Sequence, residues 1–340
     1  MGPGQRCYVI AEAGVNHDGR LDDARELVRA AHASGADAVK FQLFRAAELV
    51  AADAPKAQYQ RQTTDPGESQ LAMLEKLELP VGAFVELAAL ARQLGIAFLC
   101  SGYSAGALDA LDEIDVPAFK LASAQIVEPA LLAQAARKGR PLLISIGMAT
   151  LEEIERGLAV VRANGDPPVA LLQCTTEYPA PIEDANLRTI PALAARFDVP
   201  VGFSDHTSGE TACIAAVALG AVVVEKHLTL DNARPGPDHA ASLEPDRFAA
   251  LVRAVRETEA ALGSADRLPT PRERDNAFHM RRSLHAAVRI PAGTRIEAVH
   301  VTLRRPADGL PPDDFERVVG ATAAADIESD SPLTADNVKL

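Results

Sequence analysis

Two similar segments stand past the middle of the chain, Val201-Gly-Phe-Ser-Asp-His-Thr-Ser-Gly209 and Val222-Val-Val-Glu-Lys-His-Leu-Thr229. Each is an apolar run that turns polar at its C-terminal end and carries a histidine there, and His206 and His227 are 21 positions apart. A helix-like segment, 210–220, separates the two runs. This is the spacing of a strand-helix-strand unit, so we expect both imidazoles side by side at one edge of a parallel sheet.

Alternation along these two strands decides which polar groups share a face. Ser204 lies on the same face as His206, and Glu225 lies on the same face as His227. A single histidine is more often a hydrogen-bonded core residue than a ligand, but two on neighbouring strands beside a carboxylate favour a metal. Imidazole nitrogens suit Zn, Mn, Fe or Co, and two protein ligands leave open positions for substrate. The sequence therefore predicts a divalent metal site at this edge.

The same rhythm of short β-rich runs and longer amphipathic segments extends over residues 7–263. Strands are predicted at 7–15, 38–44, 96–103, 118–123, 141–147, 169–176, 201–207 and 221–230, and helices at 21–34, 81–94, 105–114, 129–138, 151–164, 187–197, 209–219 and 245–262. Eight such pairs in about 250 residues match a (β/α)8 TIM barrel better than an open doubly wound sheet. We therefore predict an α/β fold with a catalytic barrel over residues 1–263.

Two regions depart from this rhythm. Residues 45–80, between the second strand and its helix, are polar and rich in turn residues, and we interpret them as a long loop in the position of a substrate lid. After residue 263 the chain becomes charged and contains Pro269 and Pro271, which favours a linker over 264–282. Short β-like pieces follow, and they predict a small β-rich domain over 283–340.

The composition narrows the class of protein. The chain has 340 residues, of which 48% are hydrophobic and 24% charged, as is usual for globular proteins. Its net charge of -13 argues against nucleic-acid binding, which needs Lys and Arg against phosphates, and we interpret it as a solubility feature. Cys7, Cys100, Cys174 and Cys213 have no paired spacing, as expected of reduced thiols. With no signal-peptide pattern and no membrane-spanning run, we predict a cytoplasmic protein without a membrane partner.

Polar residues at the predicted C-terminal ends of the strands form the candidate active site, because barrel enzymes place their catalytic groups there. Glu12 interrupts an apolar strand, and a buried carboxylate favours a catalytic role over a structural ion pair. Lys40 and Gln42 share a face of the second strand, and an inward lysine indicates an anionic ligand such as phosphate or carboxylate. The other members of this predicted anion cradle are Lys120, Ser123, Ser145 and Ser204.

Several motifs, in order along the chain, resemble those of one enzyme family. They are Ile10-Ala-Glu-Ala-Gly-Val-Asn-His17, Val39-Lys-Phe-Gln42, Pro117-Ala-Phe-Lys-Leu-Ala-Ser123, Gly202-Phe-Ser-Asp-His-Thr207, Glu225-Lys-His-Leu-Thr229 and Pro235-Gly-Pro-Asp-His-Ala-Ala-Ser-Leu-Glu-Pro245. Over essentially its whole length the chain resembles the phosphoenolpyruvate-condensing sialic acid synthases, which make nine-carbon nonulosonic acids. The segment 282–306 resembles the antifreeze-like domain attached to these synthases.

The resemblance implies an activity and a set of roles. The activity is condensation of phosphoenolpyruvate with an N-acylated mannosamine-type sugar, giving a sialic-type acid and phosphate. Glu12 matches the catalytic acid/base, and His206 and His227 match the ligands of a divalent metal, most often Mn²⁺, with Mg²⁺ or Co²⁺ as alternatives. The residues that match the phosphoenolpyruvate site are Lys40, Gln42, Lys120, Ser123, Ser145 and Ser204. Those that match the sugar site are Tyr178, Glu225, Asp238 and Arg305.

The resemblance also implies a domain-swapped homodimer, in which Arg305 of one subunit reaches the site of the other. Two departures from the family's pattern leave the identity of the sugar substrate undetermined. Ser101-Gly-Tyr-Ser104 replaces the family's Ser-Thr-Pro-Phe, and Thr176 stands where asparagine or serine is common. The segment 68–79 looks closer to the legionaminate-type branch. The alternatives are another metal-dependent barrel aldolase or lyase, and a non-catalytic carbohydrate-binding homologue; the intact glutamate, lysines and histidines argue against the latter.

Overall fold

Eight parallel strands close into a barrel in the computed structural model, which describes residues 4–340. The strands pair in chain order, and the eighth closes on the first. They are β1 Tyr8–Gly14, β2 Ala38–Leu43, β3 Ala97–Gly102, β4 Phe119–Leu121, β5 Leu142–Ser145, β6 Val169–Gln173, β7 Val201–Asp205 and β8 Val223–His227. The predicted (β/α)8 fold is confirmed.

Helices follow the strands and cover the outside of the barrel. In chain order they are α1 Leu21–Ala33, α2 Ala46–Leu49, α3 Gln58–Thr63, α4 Gln70–Glu75, α5 Val81–Leu94, α6 Ala105–Ile114, α7 Pro129–Arg137, α8 Leu151–Ala163, α9 Thr189–Phe197, α10 Thr211–Ala218 and α11 Pro245–Leu262. Local sequence sets their ends. At the start of α8, for example, the Glu153 amide donates to Thr150 Oγ1 and the Glu153 carboxylate accepts from the Thr150 amide, which forms a capping box.

Alternation along the strands divides the barrel interior into layers. The lower layer is apolar and includes Ile10, Ala38, Leu99, Ala118, Leu143 and Val223. Two positions further along these strands, on the same inward face, stand Glu12, Lys40, Ser101, Lys120, Ser145 and Glu225. The barrel therefore has an apolar floor and a polar upper layer towards the C-terminal ends of its strands.

One ion pair lies on the outer face of the barrel wall. Asp205 and Lys226 are opposite one another on β7 and β8, and both side chains are fully buried under the helices. Lys226 Nζ lies 2.8 Å from Asp205 Oδ2 and also donates to the carbonyl oxygen of Thr207. Asp205 accepts hydrogen bonds from the Thr207 amide at 2.8 Å and from the thiol of Cys213 at 3.1 Å. This pair fixes the backbone beside both candidate metal-binding histidines.

The insertion at 45–80 is more ordered than a long loop. It contains α2, α3 and α4, so the prediction of an irregular segment is wrong for these parts. The insertion is held by Lys56, whose ammonium donates to Thr64 Oγ1, the carbonyl oxygen of Asp65 and Glu68 Oε1 at 2.7–2.9 Å. Besides this buried cation, Leu77 packs with Val15 and Phe44, but the helices of the insertion are too short to show an apolar period in the sequence.

The chain divides into two compact units, Met1–Gly263 and Ser264–Leu340, and the second is the C-terminal part of the chain. It contains α12 Pro271–Met280, β9 Ser283–Ala286, β10 Val301–Arg304, α13 Phe315–Val318, β11 Thr322–Ala323 and β12 Val338–Lys339. β9 pairs with β10, and β11 with β12, in antiparallel fashion around a separate apolar core. The predicted β-rich fold of this region is confirmed.

The segment interpreted as a linker, 264–282, includes the helix α12. Thr270 caps it and Glu273 completes the capping box, but none of its residues is buried. Without a buried face the helix has no apolar period, which is why the sequence reading missed it.

Among the described residues, none of the helices combines the length and hydrophobicity needed to cross a bilayer. The cysteines Cys7, Cys100, Cys174 and Cys213 are all buried and unpaired by disulfides, as predicted.

We expect Lys226→Met to lower the free energy of unfolding of the barrel by about 3–5 kcal/mol, because it leaves the Asp205 carboxylate buried without its counter-ion. Combining it with Asp205→Leu should recover part of that loss, since neither charge then remains. Chemical denaturation followed by circular dichroism measures both values. Arg25→Met, which removes exposed ion pairs with Asp22 and Glu86, is the control and should change the free energy of unfolding far less. A similarly small cost for Lys226→Met would contradict the structural role of the pair.

Candidate active site

Two lysines and two glutamates meet in the polar layer of the barrel. Lys40 Nζ lies 2.7 Å from Glu12 Oε2 and 3.6 Å from Glu225 Oε1. Lys120 Nζ donates to Glu225 Oε1 at 3.0 Å, and Ser204 Oγ donates to the same oxygen at 2.9 Å. All four charged side chains are no more than 4% exposed. The closure of the barrel thus brings together groups that are more than 200 positions apart in the sequence.

The two carboxyl groups differ in their protonation. Burial raises the pKa of Glu12 to about 7, and the nearby ammonium of Lys40 only partly opposes this effect. Burial also acts on Glu225, but its two lysine neighbours outweigh it and lower its pKa to about 2. The pKa of Lys40 is raised, because its two glutamate neighbours outweigh the effect of burial. Burial lowers the pKa of Lys120, because its glutamate neighbours only partly oppose this effect. The layer thus holds two lysines and two glutamates, of which Glu12 is the more readily protonated.

Several buried polar atoms of this layer lack a hydrogen-bond partner among the described residues. They include Ser145 Oγ, Glu225 Oε2 and His227 Nδ1. Buried polar groups are nearly always hydrogen-bonded, so a cluster of unpaired ones indicates a place where a ligand binds. Ser123, also predicted for the cradle, is half-buried, and its hydroxyl accepts from the Gly147 amide at 3.0 Å.

The two histidines lie together above this layer. The ring centroids of His206 and His227 are 5.5 Å apart. Nδ1 of His206 is 2.6 Å from the carbonyl oxygen of Thr175, so this nitrogen carries the proton and Nε2 keeps its lone pair. Burial lowers the pKa of His206 to about 4 and that of His227 well below its usual value. Both rings are therefore neutral, which is the form that binds metal.

These observations fit a metal with two protein ligands. Metal–nitrogen bonds of about 2.1 Å allow two neighbouring imidazoles to share one ion. No group of three or more His, Cys, Asp or Glu side chains within residues 4–340 has the arrangement of a metal site. Asp238 is the nearest carboxylate to the pair in the contacts described, with Oδ2 3.8 Å from His227 Nδ1. Two imidazoles alone would leave the remaining positions of an ion to substrate or water.

A cavity of about 400 Å³ opens beside these groups. Its walls include the predicted site residues Gln42, Ser123, Tyr178, His227 and Asp238. The Tyr178 ring packs on His206 with a centroid distance of 4.1 Å. Gln42 Nε2 donates to Glu12 Oε1 at 3.1 Å, which links the cavity to the charged layer. Burial raises the pKa of Asp238 to about 6.

The two positions that depart from the family pattern also reach this cavity. Tyr103 and Thr176 line it, and the Tyr103 hydroxyl donates to Gln42 Oε1 at 3.3 Å. Glu225, predicted to face the sugar, lies deeper, among the lysines. Arg305 belongs to the C-terminal unit, where it follows β10 and is exposed.

Sequence reasoning missed two contributors to the site. Ser101 accepts a hydrogen bond from Lys40 Nζ at 3.1 Å. It stands two positions after the inward Leu99, so the alternation rule applied to β3 identifies it. Tyr59, from α3 in the insertion, packs against Tyr178 with a centroid distance of 5.0 Å, and no sequence pattern indicated it.

Comparison with known proteins gives the same assignment. The NeuB family pattern matches residues 27–267, and the SAF domain pattern matches residues 281–339, which is the region predicted to be antifreeze-like. The chain is 40% identical to the N,N'-diacetyllegionaminic acid synthase of Campylobacter jejuni, with 96% of this chain and 98% of that protein aligned. It is 38% identical to the N-acetylneuraminate-9-phosphate synthase of Homo sapiens, over 96% of this chain and 91% of that protein.

Solved structures agree with the sequence comparison. The crystal structure of the N-acetylneuraminic acid synthetase from Leptospira borgpetersenii superposes with a TM-score of 0.71 and 30% identity, covering 80% of this chain and 90% of that one. The predicted resemblance to sialic acid synthases is therefore confirmed. The chain is an enzyme of the NeuB family, and it carries a SAF domain at its C-terminal end.

Proposed function

We propose that this enzyme condenses phosphoenolpyruvate with an N-acylated mannosamine-type sugar, giving a nonulosonic acid and inorganic phosphate. The observation that carries the proposal is the buried charged layer, in which Lys40 and Lys120 lie in the same polar layer as the unpaired hydroxyl of Ser145. An anionic substrate is the partner that such a layer favours. The relatives named as N,N'-diacetyllegionaminic acid and N-acetylneuraminate-9-phosphate synthases support the same class of reaction.

Phosphoenolpyruvate would bind in the charged layer. Its phosphate and carboxylate oxygens would accept hydrogen bonds from Lys40, Lys120 and the unpaired hydroxyl of Ser145. Ser123 and Ser204 would complete the cradle, with Gln42 at its side. Charge-assisted hydrogen bonds inside a water-poor barrel would hold the methylene carbon of the substrate in one orientation.

Glu12 is the acid/base of the proposed reaction. The methylene carbon of phosphoenolpyruvate forms a bond to the aldehyde carbon of the open-chain sugar, which leaves an oxocarbenium ion at the adjacent carbon. The carbonyl π electrons of the aldehyde move to its oxygen, which takes up a proton from water and becomes a hydroxyl. A water molecule adds to that carbon and transfers a proton to Glu12. The resulting tetrahedral intermediate then loses phosphate to give the keto acid. A group whose pKa lies near 7 can both accept and return a proton at neutral pH.

The sugar would occupy the cavity, against Tyr178 and Asp238. His206 and His227 would hold a divalent metal, with Mn²⁺ as our first choice and Mg²⁺ or Co²⁺ as alternatives. A metal at this place supplies Lewis-acid polarisation of the aldehyde oxygen. Three further features stay predictions. They are the homodimer in which Arg305 acts in the second copy, the contribution of Glu225 to sugar binding, and the cytoplasmic location.

The central test is release of phosphate. With Mn²⁺, phosphoenolpyruvate and an N-acylated mannosamine, the protein should release inorganic phosphate in a one-to-one ratio with a nine-carbon keto acid. Glu12→Gln should lower this rate by about 100-fold to 10,000-fold while phosphoenolpyruvate still binds, as measured by calorimetry. Glu26→Gln, an exposed position on α1, is the control and should keep full activity. Formation or consumption of pyruvate would instead identify an aldolase or lyase, and an active Glu12→Gln enzyme would refute the role of Glu12.

Metal binding is a second test. His206→Ala and His227→Ala should each weaken Mn²⁺ binding by more than about 100-fold, because loss of even an outer-shell partner costs 10–100-fold. Titration of Mn²⁺ followed by electron paramagnetic resonance measures this in the absence of both substrates. His32→Ala, at an exposed position on α1, is the control. Unchanged affinity in both site variants would exclude these residues as ligands.

Ser145 allows binding and stability to be separated. Its hydroxyl is buried without a partner, so Ser145→Ala should leave the free energy of unfolding unchanged or raise it slightly. The same change should weaken phosphoenolpyruvate binding by about 10-fold to 150-fold, the value of a hydrogen bond to a charged group. Ser204→Ala should lower both the free energy of unfolding and the affinity for phosphoenolpyruvate, because this hydroxyl already donates a hydrogen bond to Glu225. Equal phosphoenolpyruvate affinity in Ser145→Ala and the wild type would remove Ser145 from the cradle.

A further inference from the structure

The carboxyl group of Glu12 is held from two sides. Its Oε2 lies 2.7 Å from Lys40 Nζ, and its Oε1 accepts a hydrogen bond from Gln42 Nε2 at 3.1 Å. A Cβ atom at Gly14 would lie 3.4 Å from both Glu12 Oε1 and Gln42 Nε2, so this hydrogen bond packs directly against bare backbone. The orientation of the Glu12 carboxyl group therefore depends on which end of the Gln42 amide faces it.

A tyrosine hydroxyl at the other end of the Gln42 amide determines this orientation. With its nitrogen towards Glu12 the amide donates, whereas with its oxygen there two acceptors would face each other. The Tyr103 hydroxyl donates to Gln42 Oε1 at 3.3 Å. Burial raises the pKa of Tyr103 above its usual value, so the phenol stays protonated and remains a donor. Tyr103 thus selects the orientation in which Gln42 donates to Glu12.

The Tyr103 ring is itself fixed by packing. It lies against a small apolar cluster that contains Val15, Phe44 and Leu77. Its contact with Phe44 is edge-on, with ring centroids 6.1 Å apart. Because the hydroxyl is attached to a rigid ring, packing of the ring also fixes the position of the hydroxyl.

This hydrogen bond depends on a residue in which the chain departs from its family. Tyr103 belongs to the segment Ser101-Gly-Tyr-Ser104, which stands where the family has Ser-Thr-Pro-Phe. A proline at the third position of this segment has no hydroxyl and cannot donate to the glutamine. The contact between Tyr103 and Gln42 is therefore a feature of this chain and not of the shared pattern.

We propose that Tyr103 is a positioning residue, which directs the Gln42 amide at Glu12 and so holds the carboxyl group in the orientation that accepts a proton from water. This inference rests on the proposed function, because Glu12 is the acid/base there. Tyr103 acts through Gln42 and needs no contact with the reacting atoms. Its hydroxyl does not hold the proposed phosphoenolpyruvate ligands Lys40 and Lys120, so its loss should lower the rate and leave phosphoenolpyruvate binding unchanged.

The first test is a double-mutant cycle on phosphate release, with Mn²⁺, phosphoenolpyruvate and an N-acylated mannosamine. Tyr103→Phe should lower kcat by about 3-fold to 10-fold, the value of one neutral hydrogen bond, with an unchanged KM for phosphoenolpyruvate. Gln42→Met should lower kcat by about 10-fold to 150-fold, because it removes a donor to a charged group. In the Gln42→Met background, Tyr103→Phe should have no further effect.

Tyr8→Phe is the matched control. The Tyr8 hydroxyl also donates to an oxygen at 3.3 Å, the carbonyl oxygen of Asp37, but it lies at the start of β1 and away from the cavity. This variant should keep the wild-type kcat and KM. Equal losses from Tyr103→Phe in both backgrounds would show that Tyr103 does not act through Gln42 and would overturn the proposal. Full kcat in Tyr103→Phe, or a loss confined to KM, would also overturn it.

Nuclear magnetic resonance separates failure of this inference from failure of the proposed function. In protein labelled with ¹⁵N-glutamine, the side-chain amide signal of Gln42 is identified by its loss in Gln42→Met. In Tyr103→Phe the protons of this amide should exchange with water about 3-fold to 10-fold faster, because release of the amide then breaks one hydrogen bond instead of two. Tyr8→Phe should leave the exchange unchanged.

This measurement needs no turnover. If no sugar releases phosphate, the proposed condensation is wrong, and amide exchange then decides whether Tyr103 positions Gln42. Faster exchange in Tyr103→Phe upholds the positioning role, and unchanged exchange overturns it.

Discussion

Two lysine ammonium groups inside a closed barrel are the constraint on which this structure depends. Lys40 and Lys120 are almost completely buried, and an isolated cation at such a place is strongly unfavourable. Glu225 Oε1 lies 3.0 Å from Lys120 Nζ and 3.6 Å from Lys40 Nζ, whereas Glu12 contacts only Lys40. The compensation is incomplete, because burial favours the neutral form of Glu12. The two lysines and two glutamates therefore depend on one another, and an anionic ligand in this layer, as proposed, would add to their compensation.

The barrel holds these four charged side chains in fixed positions. Each polar inward residue stands two positions beyond an apolar one, so the charged layer rests on a packed floor. On the outer side of the wall, Asp205 and Lys226 tie β7 to β8 one residue before each histidine. The imidazoles therefore project from two strands whose relative position is fixed from behind. Catalytic and binding groups held in this way need little rearrangement when a substrate arrives.

The groups of the proposed site come from two different parts of the fold. The strands supply the charged layer and the histidines, whereas the helical insertion 45–80 supplies much of the apolar cavity wall. The insertion is anchored by Lys56, which contacts Thr64, Asp65 and Glu68 within it, and its Leu74 and Leu77 pack in an apolar cluster with Val15 and Phe44.

The sequence by itself determined the barrel, its strand order and the face on which Glu12, Lys40, Lys120, His206 and His227 lie. This was possible because a strand's period of two is a local property, and because a chain of eight strand-helix units has few ways to bury its apolar faces. Only the tertiary structure decided which lysine contacts which glutamate. It also decided that the Ser145 hydroxyl is unpaired while Ser101 accepts a hydrogen bond, and that Tyr59 and Leu49 line the cavity. It decided as well that three short parts of the insertion and the segment 271–280 are helical, because these helices depend on polar anchors and caps that produce no periodic pattern. Contacts of this kind depend on distances across the closed barrel, and no local pattern of residues encodes them.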